Sequence, residues 1–134
     1  VKTWVMTCKL ILTEIRNRGL SCSIELFGTF KDKVICDEIE NILESDLVIN
    51  HAGKTSILRL SEIFSQLNFL ICNDSGAMHL ANSVGTHVFA LFSSTDPKIT
   101  GPIYIGNKNI IKVSSINKDN CVSETILSEI KQFF

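Results

Sequence analysis

The feature that most constrains the fold is an apolar strand that passes through a polar turn directly into a helix. Residues 69–72 form an apolar run typical of a buried strand, and residues 78–84 have the apolar spacing of a helix. Between them lies the turn Asp74-Ser75-Gly76. A helix that begins at such a turn exposes unpaired backbone N–H groups, which attract anions and phosphates above all. The segment predicts a protein that holds a phosphorylated ligand.

The same succession of helix and strand extends along the whole chain. Strands are predicted over residues 23–27, 47–50, 69–72, 87–92 and 109–113, with helical apolar spacing between most of them. This alternation predicts an α/β protein with a doubly wound, Rossmann-like parallel sheet and helices on both faces. The length of 134 residues fits a single domain over residues 1–134.

Capping residues and apolar faces give several local expectations. Thr55 or Ser56 is expected to cap the third helix, and Ser123 the last one. Residues 93–102, which contain both prolines, are expected to form a long polar loop. The second helix is expected to start at Asp32 and to have an apolar face made of Val34, Ile35, Ile39, Ile42 and Leu43.

Polar turns follow four of the predicted strands. They are Gly28-Thr29, Gly53-Lys54-Thr55, Asp74-Ser75-Gly76 and Ser93-Ser94-Thr95. Ligands of doubly wound sheets sit beyond the carboxyl ends of the strands. The four turns are therefore expected to converge on one edge of the sheet and to form a ligand site there.

Composition and charge exclude several classes of protein. The chain has 13 basic and 14 acidic residues, so it lacks the basic excess of a nucleic-acid-binding protein, and no nucleic-acid partner is expected. No window reaches the ~18 uninterrupted apolar residues of a membrane helix. The first residues also lack a signal-peptide pattern. Hydrophobic residues make up 45% of the chain, which favours a folded domain over disorder.

The five cysteines and three histidines do not suggest a metal site. No cysteine pair has CxxC spacing, and Cys8, Cys36 and Cys72 lie in apolar runs. They are expected to be reduced core residues of a cytoplasmic protein. His51, His79 and His87 do not have metal-ligand spacing, so neither a metal nor a cofactor is expected.

Three motifs have both a structural and a functional interpretation. Gly53-Lys54-Thr55 is not a phosphate-binding loop, because Val48 stands where the first glycine of that loop belongs. The turn either caps a helix only or also contacts a ligand. Asp74-Ser75-Gly76 is likewise either a capping turn or an anion site, with His79 one helical turn away. Lys2 is either a solvated lysine or a phosphate ligand.

Together these residues resemble glycosyltransferase family 9, the ADP-heptose:lipopolysaccharide heptosyltransferases and their relatives. The strongest element is the Asp-Ser-Gly-x-x-His run at residues 74–79, preceded about twenty residues earlier by a Gly-Lys-Thr-Ser turn. Weaker elements are Lys2-Thr3-Trp4, Phe27-Gly28-Thr29, Ala90-Leu91-Phe92 and Thr95-Asp96-Pro97. Val5 and Ser93-Ser94 depart from the family pattern, which usually has Pro and Gly-Pro at these positions.

The resemblance implies the C-terminal, donor-binding half of a two-domain GT-B glycosyltransferase that transfers a heptose from ADP-heptose to a lipopolysaccharide core or other glycan acceptor. No metal or cofactor is implied. The enzyme would be cytoplasmic, at the inner face of the bacterial inner membrane. By position, Lys2 would meet donor phosphate, Asp32 the ribose or base, and Thr55 the nucleotide. The diphosphate and sugar would be held by Asp74, Ser75, Gly76 and His79.

The resemblance also implies that two parts of the family's fold are not in this chain. One is the acceptor-binding domain with its general base, so no catalytic residue is assigned here. The other is the first strand of the donor sheet, which is central in the strand order 3-2-1-4-5-6. Its absence would leave two unpaired edges. The isolated chain is therefore predicted to be inactive, and heptosyl transfer by it would contradict this prediction. A non-catalytic nucleotide-sugar-binding module and a sugar-nucleotide epimerase are the alternatives.

Overall fold

In a computed structural model, which describes residues 1–103, 108–112 and 122–134, helices and strands alternate as predicted. The helices are α1 (Lys2–Asn17), α2 (Lys33–Leu43), α3 (Ile57–Phe64), α4 (Gly76–Ser83), α5 (Pro97–Thr100) and α6 (Val122–Ile130). The strands are β1 (Ile24–Leu26), β2 (Val48–Asn50), β3 (Phe69–Asn73), β4 (His87–Phe92) and β5 (Lys108–Lys112). Two 3₁₀ turns, Phe30–Asp32 and Lys131–Phe133, complete the described elements. The α/β prediction is confirmed.

The strands form two parallel sheets rather than one. β1 pairs with β2, while β3, β4 and β5 form a three-stranded sheet in that order. In the strand order 3-2-1-4-5-6, β1 and β2 correspond to strands 2 and 3, and β3, β4 and β5 correspond to strands 4, 5 and 6. Strand 1 of that order has no counterpart among the described residues. Accordingly, β1 and β3 each have one edge without a strand partner among the described residues. The chain divides into two compact units, Val1–Thr55 with Phe134, and Ser56–Phe133. The expectation of a single domain stays a prediction.

The core of the first unit is built on α1 and α2. Cys8, Ile11, Leu12 and Ile15 recur at helical spacing on α1 and are buried. α1 packs against α2, and α2 in turn packs against β2. Burial of each large aliphatic side chain contributes about 1.5–3 kcal/mol, so this stripe holds the unit together.

The core of the second unit is centred on β4. Every residue of β4 after His87 is buried, as expected for the middle strand of a parallel sheet covered on both faces. Phe64 of α3, Met78 of α4 and Ile126 of α6 are fully buried as well. Cys72 on β3 is buried, as are Cys8 and Cys36 in the first unit, so the core role predicted for these three cysteines is confirmed.

Two boundary predictions are wrong. The loop predicted over residues 93–102 contains α5, because the Asp96 carboxylate accepts the Lys98 N–H (3.0 Å) and Pro97 occupies the first turn. Ser123 does not cap the last helix. It is the second residue of α6, because this helix already begins at Val122, and Ser123 is fully buried.

The apolar face predicted for α2 is wider than the face that is buried. Cys36 and Ile39 are buried, whereas Val34 is 76% exposed and Ile35 and Ile42 are exposed as well. The neighbouring elements of this unit cover only the stripe that faces α1 and β2. None of the helices in the described ranges is long and apolar enough to cross a membrane.

Candidate functional site

The turn from β3 into α4 leaves backbone donors available. Ser75 is the N-cap of α4 and has extended backbone, yet its side chain caps nothing. The Met78 N–H donates to the Ser75 carbonyl (3.1 Å). The N–H groups of Gly76 and Ala77 have no hydrogen-bond partner among the described residues. Two free donors at the positive end of a helix suit an anionic ligand.

Gly76 is not required by packing. A Cβ placed on Gly76 would meet no atom within 4 Å in the described part of the chain, and its φ is not in the left-handed region. The structural interpretation of this glycine, close packing at a capping turn, therefore has no support. The open space in front of its backbone leaves room for a ligand to approach the N–H groups.

Asp74 is held in place from two directions. Its backbone N–H donates to the Leu91 carbonyl at the end of β4 (3.2 Å). Its Oδ2 accepts a hydrogen bond from the Oγ1 hydroxyl of Thr100, the last residue of α5 (2.9 Å). The other carboxylate oxygen, Oδ1, has no partner among the described residues. Asp74 is thus bonded to the end of β4 and to α5, the helix that follows β4 in the chain.

In the first unit, the turns after β1 and β2 also meet. Gly53 has a φ of +70°, and its N–H donates to the Gly28 carbonyl (2.9 Å). A Cβ on Gly53 would lie 3.3 Å from Phe30 Cα, so a side chain here would be both strained and crowded. Glycine at this position allows the two strand-end turns to touch.

Asp32 lies at the first of these turns and faces back towards Thr29. Its Oδ2 accepts both the Thr29 backbone N–H (2.8 Å) and the Thr29 hydroxyl (2.6 Å). The hydroxyl contact, followed by the backbone contact, lowers the pKa of the Asp32 carboxyl below its ordinary value. Asp32 does precede α2, as predicted, but its side chain caps the 3₁₀ turn instead of that helix.

The Gly53-Lys54-Thr55 turn does not behave as a phosphate-binding loop. The Lys54 Nζ donates to the Asn50 carbonyl (2.9 Å), so the lysine is folded onto the end of β2. Ser56, not Thr55, caps α3 by accepting the Arg59 N–H (3.2 Å). The half-buried Thr55 hydroxyl has no hydrogen-bond partner among the described residues and remains available to a ligand.

The end of β2 is clamped to α2 by a buried amide. The Asn50 Nδ2 donates to Asp37 Oδ1 (2.9 Å) and to Glu40 Oε2 (3.0 Å), and its Oδ1 accepts the Ala52 N–H (3.0 Å). The ammonium of Lys33 pairs with Asp37 and lowers the pKa of that carboxyl. One amide thus links two carboxylates to the turn that follows β2.

The predicted site residues are divided between the two units. Lys2 in the first turn of α1 and His79 on α4 are exposed and have no polar partner among the described residues. Lys2, Asp32 and Thr55 belong to the first unit, whereas the second contains Asp74, Ser75, Gly76 and His79. The structure brings together the turns after β1 and β2 in the first unit, and it bonds Asp74 to α5 in the second. Convergence of all four turns on one edge stays a prediction.

The contacts of two side chains beside the candidate site were not predicted from the sequence. Thr29 orients Asp32, and Thr100 bonds to Asp74. A signal existed for Thr29, because Thr-x-x-Asp is the spacing of a capping box. Thr100 lies 26 residues from its partner, and no local pattern links them. In the described ranges, no group of three or more His, Cys, Asp or Glu side chains is arranged to hold a metal ion.

Comparison with family models matches almost the entire chain. The model described as glycosyltransferase family 9 (heptosyltransferase) covers residues 1–131. The chain belongs to glycosyltransferase family 9. This family membership confirms the resemblance drawn from the 74–79 motif.

The curated relatives of this family 9 chain are heptosyltransferases of greater length. It is 33% identical over 84 residues to lipooligosaccharide heptosyltransferase 2 of Haemophilus influenzae, which is 60% of this chain and 24% of that protein. It is 30% identical over 83 residues to lipopolysaccharide heptosyltransferase 2 of Salmonella typhimurium, again 60% and 24%. The chain therefore spans about a quarter of the length of the relatives it matches.

Solved structures of the family share the fold. The chain matches E. coli ADP-heptose lps heptosyltransferase II with a TM-score of 0.80 at 21% identity, over 97% of this chain and 40% of that one. It matches the family 9 glycosyl transferase from Veillonella parvula with a TM-score of 0.79 at 19% identity, over 98% and 40%. These likenesses confirm the predicted α/β fold of one half of a GT-B glycosyltransferase.

Proposed function

We propose that this family 9 chain forms the donor-binding part of a heptosyltransferase that transfers a heptose from ADP-heptose to a lipopolysaccharide core or other glycan acceptor. The observation that carries the proposal is the turn from β3 into α4. Two free N–H groups, an unbonded Asp74 oxygen and an exposed His79 lie on the segment that bears the family motif. The heptosyltransferase names of the relatives support the same class of reaction.

In this proposal, the diphosphate of the donor binds to the N–H groups of Gly76 and Ala77 and to the His79 imidazole. A carboxylate beside a phosphate is repelled, so the Asp74 Oδ1 accepts a hydrogen bond from a sugar or ribose hydroxyl instead. In the other unit, donor contacts of Lys2, Asp32 and Thr55 stay predictions drawn from the family resemblance.

The proposed chemistry is departure of the nucleoside diphosphate from the heptose, with no metal or cofactor. Negative charge grows on the leaving diphosphate as the glycosidic bond breaks. The N-terminus of α4 and His79 stabilise that charge by hydrogen bonds and electrostatic attraction. No catalytic base is assigned to this chain. In this proposal the enzyme acts at the inner face of the inner membrane, as the family resemblance implies.

Calorimetry with ADP-heptose, ADP and UDP tests the donor site. ADP-heptose and ADP are expected to bind, and Asp74→Ala and His79→Ala are each expected to weaken ADP-heptose binding at least about tenfold. Asp46→Ala is the matched control, because Asp46 is exposed and precedes β2, at the opposite end of that strand from the turns. Circular dichroism checks that each variant is folded.

Binding of UDP without ADP would contradict the heptosyltransferase assignment and favour the epimerase alternative. Equal binding of ADP-heptose by the wild type, Asp74→Ala and His79→Ala would show that the turn is not part of the donor site. If the coding sequence upstream of Val1 encodes an acceptor-binding domain, sustained donor binding with no heptosyl transfer by that product would favour the non-catalytic binding module.

A further inference from the structure

We propose that Thr100 is a positioning residue for donor binding, which acts by fixing the orientation of the Asp74 carboxylate. This inference rests on the proposed donor site and names a residue that the family motif does not include. Thr100 does not itself contact the donor in this proposal. Its hydroxyl holds Asp74 Oδ2 and leaves Oδ1 for a hydroxyl of the donor.

The contact restricts the side-chain rotation that Asp74 retains. The backbone of Asp74 is already fixed by its N–H bond to the Leu91 carbonyl (3.2 Å). A carboxylate on a fixed backbone can still rotate about its terminal torsion, which is broad and roughly two-fold. The 2.9 Å bond from Thr100 Oγ1 to Oδ2 selects one orientation. Hydrogen bonds to an ionised carboxylate are the stronger kind, so the selection is effective.

The helix that carries Thr100 is built at both ends to hold it in place. The Asp96 carboxylate caps the start of α5, and Pro97 presets the first turn. At the other end, a Cβ on Gly101 would lie 2.2 Å from the Pro97 carbonyl oxygen, so only glycine closes the helix this tightly. Both ends therefore fix the position of Thr100.

The packing of α5 does not explain why it is there. This four-residue helix has no buried residue, and its Ile99 side chain is 83% exposed. A helix of one turn gains little stability of its own. Among the described residues, the side-chain hydrogen bond that α5 makes outside its own helix is the one from Thr100 to Asp74. This contact gives the helix a role at the site.

The Thr100 hydroxyl also has an acceptor inside its own helix. A threonine in a helix commonly donates to the carbonyl four residues earlier, and here the Asp96 carbonyl lies 3.4 Å away. The Asp74 oxygen is closer, at 2.9 Å, and is charged. The single hydroxyl proton is therefore donated to Asp74. A substitution that removes the Thr100 hydroxyl therefore frees the Asp74 carboxylate to rotate and removes no contact of the core.

Calorimetry with ADP-heptose tests the inference in the full chain. Thr100→Val keeps the shape of the side chain but removes the donor, and it is expected to weaken ADP-heptose binding about tenfold. Thr100→Ser keeps the donor and is expected to bind within about twofold of the wild type. Thr13→Val is the matched control, because Thr13 is an exposed helical threonine that donates only to the Lys9 carbonyl (2.8 Å) among the described residues.

Thermal unfolding of the same variants separates positioning from a purely structural role. Thr100→Val, Thr100→Ser and Thr13→Val are all expected to unfold within a few degrees of the wild type, because Thr100 buries no core surface. A lowered midpoint for Thr100→Val, with affinity that Thr100→Ser does not restore, would assign Thr100 a structural role and overturn the inference.

The two proposals fail in different ways. If the wild type binds ADP-heptose, Asp74→Ala loses it, and Thr100→Val binds as the wild type does, the positioning role is wrong while the donor site stands. If the wild type binds neither ADP-heptose nor ADP, the proposed function fails, and the positioning role fails with it.

Discussion

Thr29 donates two hydrogen bonds to a single oxygen of Asp32, one from its backbone N–H (2.8 Å) and one from its hydroxyl (2.6 Å). The carboxylate is thereby fixed at the end of β1 with its Oδ1 directed to no described partner. The relation of Thr100 to Asp74 in the second unit is of the same kind. In both units, a threonine engages one oxygen of an aspartate and leaves the other without a partner among the described residues.

Thr29→Val is expected to raise the pKa of Asp32, because the Thr29 hydroxyl is the largest cause of its lowered pKa. The pKa is measured by NMR titration of the side-chain carboxyl carbon. Thr29→Ser retains the hydroxyl and is the control, with an expected pKa close to that of the wild type. An unchanged pKa in Thr29→Val would show that the backbone N–H alone is responsible.

The lowered pKa of Asp32 determines how the free energy of unfolding changes with pH. A carboxyl with a lowered pKa in the folded state stabilises the fold above its unfolded pKa, about 3.9. That contribution is lost as the pH falls through the folded value. Asp37, whose pKa is lowered by Lys33, acts in the same direction. Urea unfolding between neutral and acid pH measures the loss.

The buried cysteines are expected to make the fold sensitive to alkali. Burial raises the pKa of the Cys8 thiol to about 11 and that of Cys72 to about 12, against an ordinary value of 9.0. For a raised pKa, the stabilising contribution is complete below the unfolded pKa and is lost as the pH rises towards the folded one. Urea unfolding midpoints should fall above pH ~9.

Single variants separate the cysteine effect from other alkaline titrations. Cys8→Ala and Cys72→Ala should each flatten the alkaline fall in the midpoint, since each removes one buried thiol. Cys22→Ala is the control, because Cys22 is only half-buried. An alkaline fall that is equally steep in all three variants would mean that the buried thiols are not its cause.

Asn50→Asp is expected to lower the free energy of unfolding at neutral pH by about 2 kcal/mol. The variant removes the N–H donors that join Asp37 and Glu40 and adds a third carboxylate at a buried position. Protonation relieves the repulsion, so the deficit should shrink as the pH falls towards 4, approximately the carboxyl pKa.

The matched control for this variant is Asn41→Asp, on the exposed surface of α2. It makes the same chemical change and is expected to alter the free energy of unfolding by less than about 0.5 kcal/mol. Urea unfolding of both variants at two pH values is the measurement. Equal effects of the two substitutions would contradict the clamp at Asn50.

Gly76→Ala separates a ligand role of the turn from a structural one. Its Cβ would meet nothing within 4 Å of the described chain, so the free energy of unfolding should stay the same or rise by less than about 1 kcal/mol. The added methyl group would occupy the space that the donor diphosphate needs. ADP-heptose affinity is therefore expected to fall about tenfold, as measured by calorimetry.

Gly101→Ala provides the contrast. There the Cβ would lie 2.2 Å from the Pro97 carbonyl oxygen, so α5 has to shift and thermal unfolding should occur at a lower temperature. If Gly76→Ala destabilises the fold as Gly101→Ala does, the glycine in the turn is structural. Unchanged donor affinity in Gly76→Ala would exclude close approach of a ligand to this backbone.

Much of the fold could be predicted from local pattern. The bounds of β4 agree with the prediction, and the ends of the other strands differ by at most one residue; Val113, the predicted end of the last strand, lies outside the described residues. Less could be predicted about burial. Val34 and Ile57 belong to apolar helical faces, yet they are 76% and 75% exposed. Periodicity identifies the side of a helix that is apolar, but only the neighbouring elements determine how much of that side is covered.

The role of individual residues at the site stays a prediction, and the atomic arrangement around Asp74 could not be read from the sequence. The motif at residues 74–79 pointed to Asp74. It did not indicate that one oxygen of Asp74 is bonded and the other free. That distinction depends on Thr100, which reaches Asp74 through a short helix placed inside a predicted loop.

The sequence by itself determined the α/β alternation, the buried cysteines and the family, because apolar period and contiguous motifs are encoded by residues close together in the chain. Tertiary structure alone decided the burial of Ser123 and the bond between Asp74 and Thr100. These features depend on which distant segments the strand connections bring into contact. Short-range pattern contains no information about a partner 26 residues away.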